Sequence, residues 1–187
     1  GALDIAGAVT FLEQRRDVEP GRIGVVGMSM GGEEAIGAIG ADARIAAVVA
    51  EGATARTSSD TSWMPDVYGW RGSVQRWIDA AQFGLTDLLT NAPRPDSLAA
   101  AAAAAAPRPI LLIAASEATD EPDAAVHIAD RAGDHVTVWV VAGSGHTDGL
   151  DVARADWERL RALAPGSPEA DAATAHLALI GQEPAEE

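Results

Sequence analysis

The chain has 187 residues, 48% of them hydrophobic, enough to build one domain with a real core. A net charge of −15 repels phosphate backbones and anionic lipid, which argues against nucleic-acid and membrane-surface partners. The absence of cysteine excludes disulfides, thiolate metal sites and a cysteine nucleophile.

No apolar run is long enough to cross a bilayer. The longest candidate, residues 99–106, is all alanine and is closed by Pro107. The chain opens on Gly1 and reads at once as helix, so its natural start is expected upstream, where any targeting segment would lie. A cytoplasmic location is the working expectation.

Residues 2–16 carry Ile5, Val9 and Leu12 at helical spacing and predict an amphipathic helix. Val18-Glu19-Pro20-Gly21 is a turn: proline fixes one backbone angle and glycine permits the reversal. Residues 22–26 form a short, nearly all-apolar strand, the pattern of a sheet covered on both faces. A helix over 30–39 follows, with Gly40 expected to end it. Further buried strands are expected at 45–50, 110–115 and 136–141, and a helix at 152–163. Helix between parallel strands, repeated, means an α/β fold.

The stretch from Gly52 to Pro109 breaks this rhythm and is too long for a simple crossover. It holds Trp63, Tyr68, Trp70 and Trp77, and residues 74–89 look helical. An insert at this place in an α/β sheet usually sits above the strand ends, where ligands bind. Trp63, Trp70 and Trp77 are therefore expected to line a substrate pocket. The alternative is that they pack the insert's own small core. The alanine run is a good helix former or a loose linker. The expected division is a core at 1–51 and 108–164, a helical cap at 52–107 and a tail at 165–187, with a last helix near 175–180.

The chemistry centres on Gly27-Met28-Ser29-Met30-Gly31, followed by Gly32. An apolar strand runs into Gly-x-Ser-x-Gly and a helix leaves it, the context in which the motif makes a nucleophile elbow. Gly27 and Gly31 are expected to remove Cβ atoms that would collide in so tight a turn. A serine nucleophile needs a base, and the base an orienting acid, here in the chain order serine, acid, histidine. His146 lies in Gly143-Ser144-Gly145-His146-Thr147-Asp148-Gly149, just after the last strand, and is the expected base. His127, His135 and His176 are expected on solvated surfaces. The acid is expected in Ser116-Glu117-Ala118-Thr119-Asp120-Glu121-Pro122-Asp123, with Asp120 first, Glu117 second, then Asp123 and Glu121. The backbone N–H of Met30 is the expected oxyanion donor. A second donor would come from a loop before residue 1.

The run from Asp17 through the glycine-flanked Ser29, the strand Ile110-Leu-Leu-Ile with its acidic loop, and Gly145-His146-Thr147 resemble the α/β-hydrolase superfamily. The nearest flavour is the dienelactone hydrolase and prolyl-oligopeptidase-like esterase group, over residues 1 to about 163. The resemblance implies the C-terminal part of a mostly parallel sheet with helices on both faces. Residue by residue it matches Ser29 to the nucleophile, His146 to the base and Asp120 to the acid. Ala115-Ser116 departs from the glycine that usually follows the acid's strand, and the early strands are absent. The expected activity is hydrolysis of a small carboxylic ester or related acyl compound, with no metal or organic cofactor. The alternatives are a non-catalytic fragment, a binding module on the same framework, or an acyltransferase. Self-association through the uncovered sheet is a further expectation.

Overall fold

A computed structural model describes residues 2–91 and 93–155. Its elements run α1 (Ala2–Glu13), β1 (Ile23–Met28), α2 (Met30–Ala41), β2 (Ile45–Glu51), α3 (Met64–Tyr68), α4 (Trp70–Leu89), α5 (Leu98–Ala104), β3 (Ile110–Ala115), α6 (Glu121–Ala132), β4 (Val136–Val141) and α7 (Gly149–Val152). The four strands form one parallel sheet in the order β1-β2-β3-β4. Most of the expected helix at 152–163, and all of the tail with its helix near 175–180, lie outside the described residues.

The central strands β2 and β3 are apolar and almost wholly buried because both faces of the sheet are packed there. One face carries Ile23, Val48, Ala50, Ile110, Leu112, Ala114 and Val136 against α2, α5 and α6. The other carries Val49, Leu111, Ile113 and Val141 against Leu150 of α7. Ile45 and Val48 reach the same cluster although three residues apart, because the register slips between the pairs Ile23–Ile45 and Gly24–Ala47. A bulge of this kind turns the chain by one residue.

The alanine run forms α5, a core helix with Leu98, Ala99, Ala101 and Ala102 buried against α2 and α6. Its side chains are small because the approach is close. A Cβ on Gly40 would lie 2.6 Å from the Ala101 carbonyl oxygen. Gly40 is thus a packing residue inside α2, and the helix ends two residues later at the cap Asp42, not at Gly40. Buried Asp60 fastens the start of α5 to the loop after β2: it accepts the N–H groups of Leu98, Arg56 and Thr57 and the Thr57 hydroxyl.

α3 and α4 form an arm beyond the sheet's C-terminal edge. They meet at a sharp corner, where a Cβ on Gly72 would fall 1.9 Å from the Met64 carbonyl oxygen. The α4 helix begins at Trp70, one turn earlier than its periodicity predicts. Tyr68 joins the arm to the core by donating its hydroxyl to the Thr119 carbonyl and the Asp123 carboxylate. No described helix is long and apolar enough to cross a membrane.

Candidate active site

β1 runs straight into Ser29, which takes φ 53° and ψ −125° before α2 begins at Met30. A left-handed φ is costly for a side chain other than glycine and persists only where neighbours enforce it. Three backbone bonds do so. Ser29 N–H donates to the Glu51 carbonyl at 2.7 Å, and its own carbonyl accepts the N–H groups of Gly32 and Glu33. A Cβ on Gly27 would lie 2.2 Å from the Gly31 carbonyl oxygen, so glycine is obligatory there. Gly31 itself meets nothing within 4 Å, contrary to expectation; the second tight position is Gly32, pressed against Gly27, Ala50 and Glu51.

His146 follows β4 on a loop held by two unusual backbone turns, Gly143 at φ 75° and Thr147 at φ 62°. The loop is stitched to the segment after β3. Gly143 N–H donates to the Ser116 hydroxyl and Glu117 N–H to the Ser144 carbonyl. The imidazole Nε2 lies 2.9 Å from Ser29 Oγ. Its Nδ1 meets Glu121 Oε1 in a short contact. With the proton on Nδ1, the ring donates to Glu121 and accepts the serine hydroxyl through Nε2.

The structure therefore brings Ser29 and His146 together and seats Glu121, not Asp120, behind the ring. Glu121 is the first residue of α6 and is 2% exposed. Its second oxygen accepts the Ala115 N–H at 2.8 Å, which fixes the carboxylate against the end of β3. Asp120 caps the helix without bonding it through its side chain and lies at the mouth of the cleft. Glu117 is exposed. Asp123 is engaged by Tyr68. The signal for Glu121 was present in Glu121-Pro122-Asp123: proline and acidic residues in the first turn mark a helix start. The first helical residue after a short loop points back at the strand it has left.

A cleft of about 360 Å³ opens at Ser29 and is lined also by Glu33, Gly52, Thr54, Asp120 and His146. Glu33 accepts the N–H groups of Thr54 and Ala55, and burial raises its carboxyl above the usual range. Met30, the expected oxyanion donor, opens α2, where the first-turn N–H groups have no partner in their own helix. Of the three tryptophans, Trp63 is buried, stacks edge-on with Tyr68, and lines a neighbouring cavity of about 200 Å³ that shares Thr54 and Asp120 with the cleft. Trp70 and Trp77 line neither: they are 73% and 74% exposed, on the outward side of α4. Among the other histidines, His127 is buried on α6 beside Trp63 and Arg131, not solvated as expected, and His135 reaches the Ala102 carbonyl. His176 lies outside the described residues. No cluster of three His, Asp or Glu side chains among the described residues is placed to hold a metal ion.

No protein-family model matches the chain. No curated protein matches it in sequence. Solved structures do match in fold. The esterase Pf2001 from Pyrococcus furiosus aligns with a TM-score of 0.59 at 20% identity, over 84% of this chain and 58% of its own. A glucuronoyl esterase from Solibacter usitatus aligns at 0.54 and 21%, over 93% of this chain and 47% of its own. The α/β hydrolase GrgF from Penicillium sp. sh18 aligns at 0.56 and 14%, over 95% of this chain and 71% of its own. Against the first two the chain spans about half the length of the protein it matches. The parallel sheet, the strained serine turn after β1 and these likenesses together identify the fold of this chain as that of the α/β hydrolases.

Proposed function

We propose that the chain carries the catalytic residues of a serine hydrolase acting on carboxylic esters. The observation that carries this reading is the line of contacts from Ser29 Oγ through the two nitrogens of His146 to a buried carboxylate. Ser29 Oγ attacks the ester carbonyl carbon while His146 Nε2 takes the hydroxyl proton. Glu121 holds the ring in one tautomer and balances the imidazolium charge. The negative oxygen of the tetrahedral intermediate lies toward the Met30 N–H. Collapse breaks the bond to the alcohol, which leaves with the proton from Nε2. Water then attacks the acyl-serine, again losing its proton to His146, and the acid departs as the proton returns to Ser29.

The cleft favours a small, polar, uncharged ester. Its rim presents the carboxyl groups of Glu33 and Asp120 and the Thr54 side chain, a poor surface for an anionic substrate. The test is hydrolysis of a neutral acetate ester beside a succinate half-ester. The wild type is expected to turn over the first faster than the second, and Ser29→Ala neither. Turnover that survives Ser29→Ala would overturn the serine mechanism. A folded wild type without turnover would favour a non-catalytic module on the same framework.

A further inference from the structure

Glu51 ends β2 and is 2% exposed, yet the proposed chemistry makes no use of it. It touches the site from two directions. Its main-chain carbonyl accepts the Ser29 N–H at 2.7 Å. Its side-chain Oε1 accepts the Gly149 N–H at 2.8 Å, three residues past His146. A Cβ on Gly149 would lie 2.9 Å from that oxygen, so the contact depends on glycine. The next residue, Gly52, has φ +66°, and a Cβ there would lie 2.8 Å from His146 Cε1 and 3.4 Å from Glu121 Oε1. The dipeptide Glu51-Gly52 thus lies against serine, histidine and acid at once.

The other carboxyl oxygen, Glu51 Oε2, is buried without a hydrogen-bond partner, and so is Asp148 Oδ1 at the foot of the same loop. The charged groups that face Glu51 are Glu121, Asp148 and the His146 ring. No arginine pairs with Glu51 among the described residues. Burial without a paired cation disfavours the ionised form of a carboxyl. Glu121, by contrast, has a partner for each oxygen, the Ala115 N–H and the His146 ring.

We propose that Glu51 is a positioning residue of this site: acting through Oε1 as a hydrogen-bond acceptor and not through a charge, it ties the histidine loop to the end of β2. The proposal rests on the serine-hydrolase reading. Burial, and then the negative charges of Glu121 and Asp148, push the Glu51 carboxyl above its ordinary value of 4.5 against the opposing Gly149 bond. A group whose value is raised on folding binds its proton more tightly in the native state. Its contribution to stability is therefore complete below pH 4.5 and is lost as pH rises through the raised value.

The experiment compares wild type, Glu51→Gln, Glu51→Asp and Glu121→Gln in kcat, KM and thermal midpoint across pH. Glutamine keeps the acceptor and is neutral at every pH. Its kcat at neutral pH is expected within about threefold of wild type, and it should lack the decline in kcat and midpoint that wild type shows as pH rises. Glu51→Asp withdraws the carboxyl by about 1 Å and should lower kcat about a hundredfold with KM little changed. A Glu51→Gln variant as impaired as Glu121→Gln would overturn the proposal, since the charge of Glu51 would then be needed. So would identical pH profiles of midpoint in wild type and Glu51→Gln. If folded wild type hydrolyses no ester, the hydrolase reading falls, and the midpoint comparison still decides the ionisation of Glu51.

Discussion

Two regions of this molecule spend their apolar residues in opposite ways. At the C-terminal end of the sheet, β1, β2 and the loops after β3 and β4 converge so closely that Gly27, Gly32, Gly52 and Gly149 have little or no room for a side chain. The arm is built otherwise. The α4 helix buries Gly72 alone and leaves Trp70, Trp77, Leu88 and Leu89 open, and its main packing partner among the described elements is α3. The lesson concerns where precision resides. Tight packing at the strand ends can hold a serine, an imidazole and a carboxylate within bonding distance, and an open helix cannot.

Substitutions can break this contrast, and the largest effects should fall at the strand ends. Ser29→Ala and His146→Ala are each expected to lower kcat about ten-thousandfold without unfolding the chain, measured by ester hydrolysis beside a thermal scan. Glu121→Gln should cost about a hundredfold to ten-thousandfold. Asp120→Asn should cost less than about tenfold, since its carboxylate is a screened charge at the mouth. The reverse order would return the acid role to Asp120.

Stability should divide along the same line. Trp63→Ala removes a buried ring and should cost about 3–5 kcal/mol in denaturant unfolding. Trp70→Ser and Trp77→Ser should each stay within about 0.5 kcal/mol of wild type and leave kcat alone. A large loss at either would mean that the arm's outer face is covered in solution. The finest comparison lies within the serine turn. Gly27→Ala forces a Cβ into the Gly31 carbonyl and should cost at least about 1–3 kcal/mol, while Gly31→Ala should change stability little.

The strained serine turn and its sheet were legible in the sequence because their determinants are local. Apolar strand, glycine, serine and glycine stand in one run, and the strained turn appears where that run requires it. His146 was legible for a related reason, as a glycine-flanked residue directly after a strand. The acid was not. Four carboxylates crowd residues 117–123, and the choice among them depends on which side chain turns beneath the end of β3. That turn is set by the start of α6, which Pro122 marks and which is hard to place among so many acidic residues. Glu51 was hidden more deeply, since it stands just past the strand read at 45–50 and its side-chain partner, Gly149, lies ninety-eight residues away. The exposure of Trp70 and Trp77 was not legible, because aromatic content says nothing about which side of a helix will be covered.

The central claim is that Ser29 is a nucleophile made reactive by His146. A fluorophosphonate probe followed by mass spectrometry tests it most directly. Folded wild type should carry one adduct, on Ser29, and His146→Ala should form it far more slowly. A folded wild type without an adduct, or labelling that proceeds unchanged in His146→Ala, would contradict the claim.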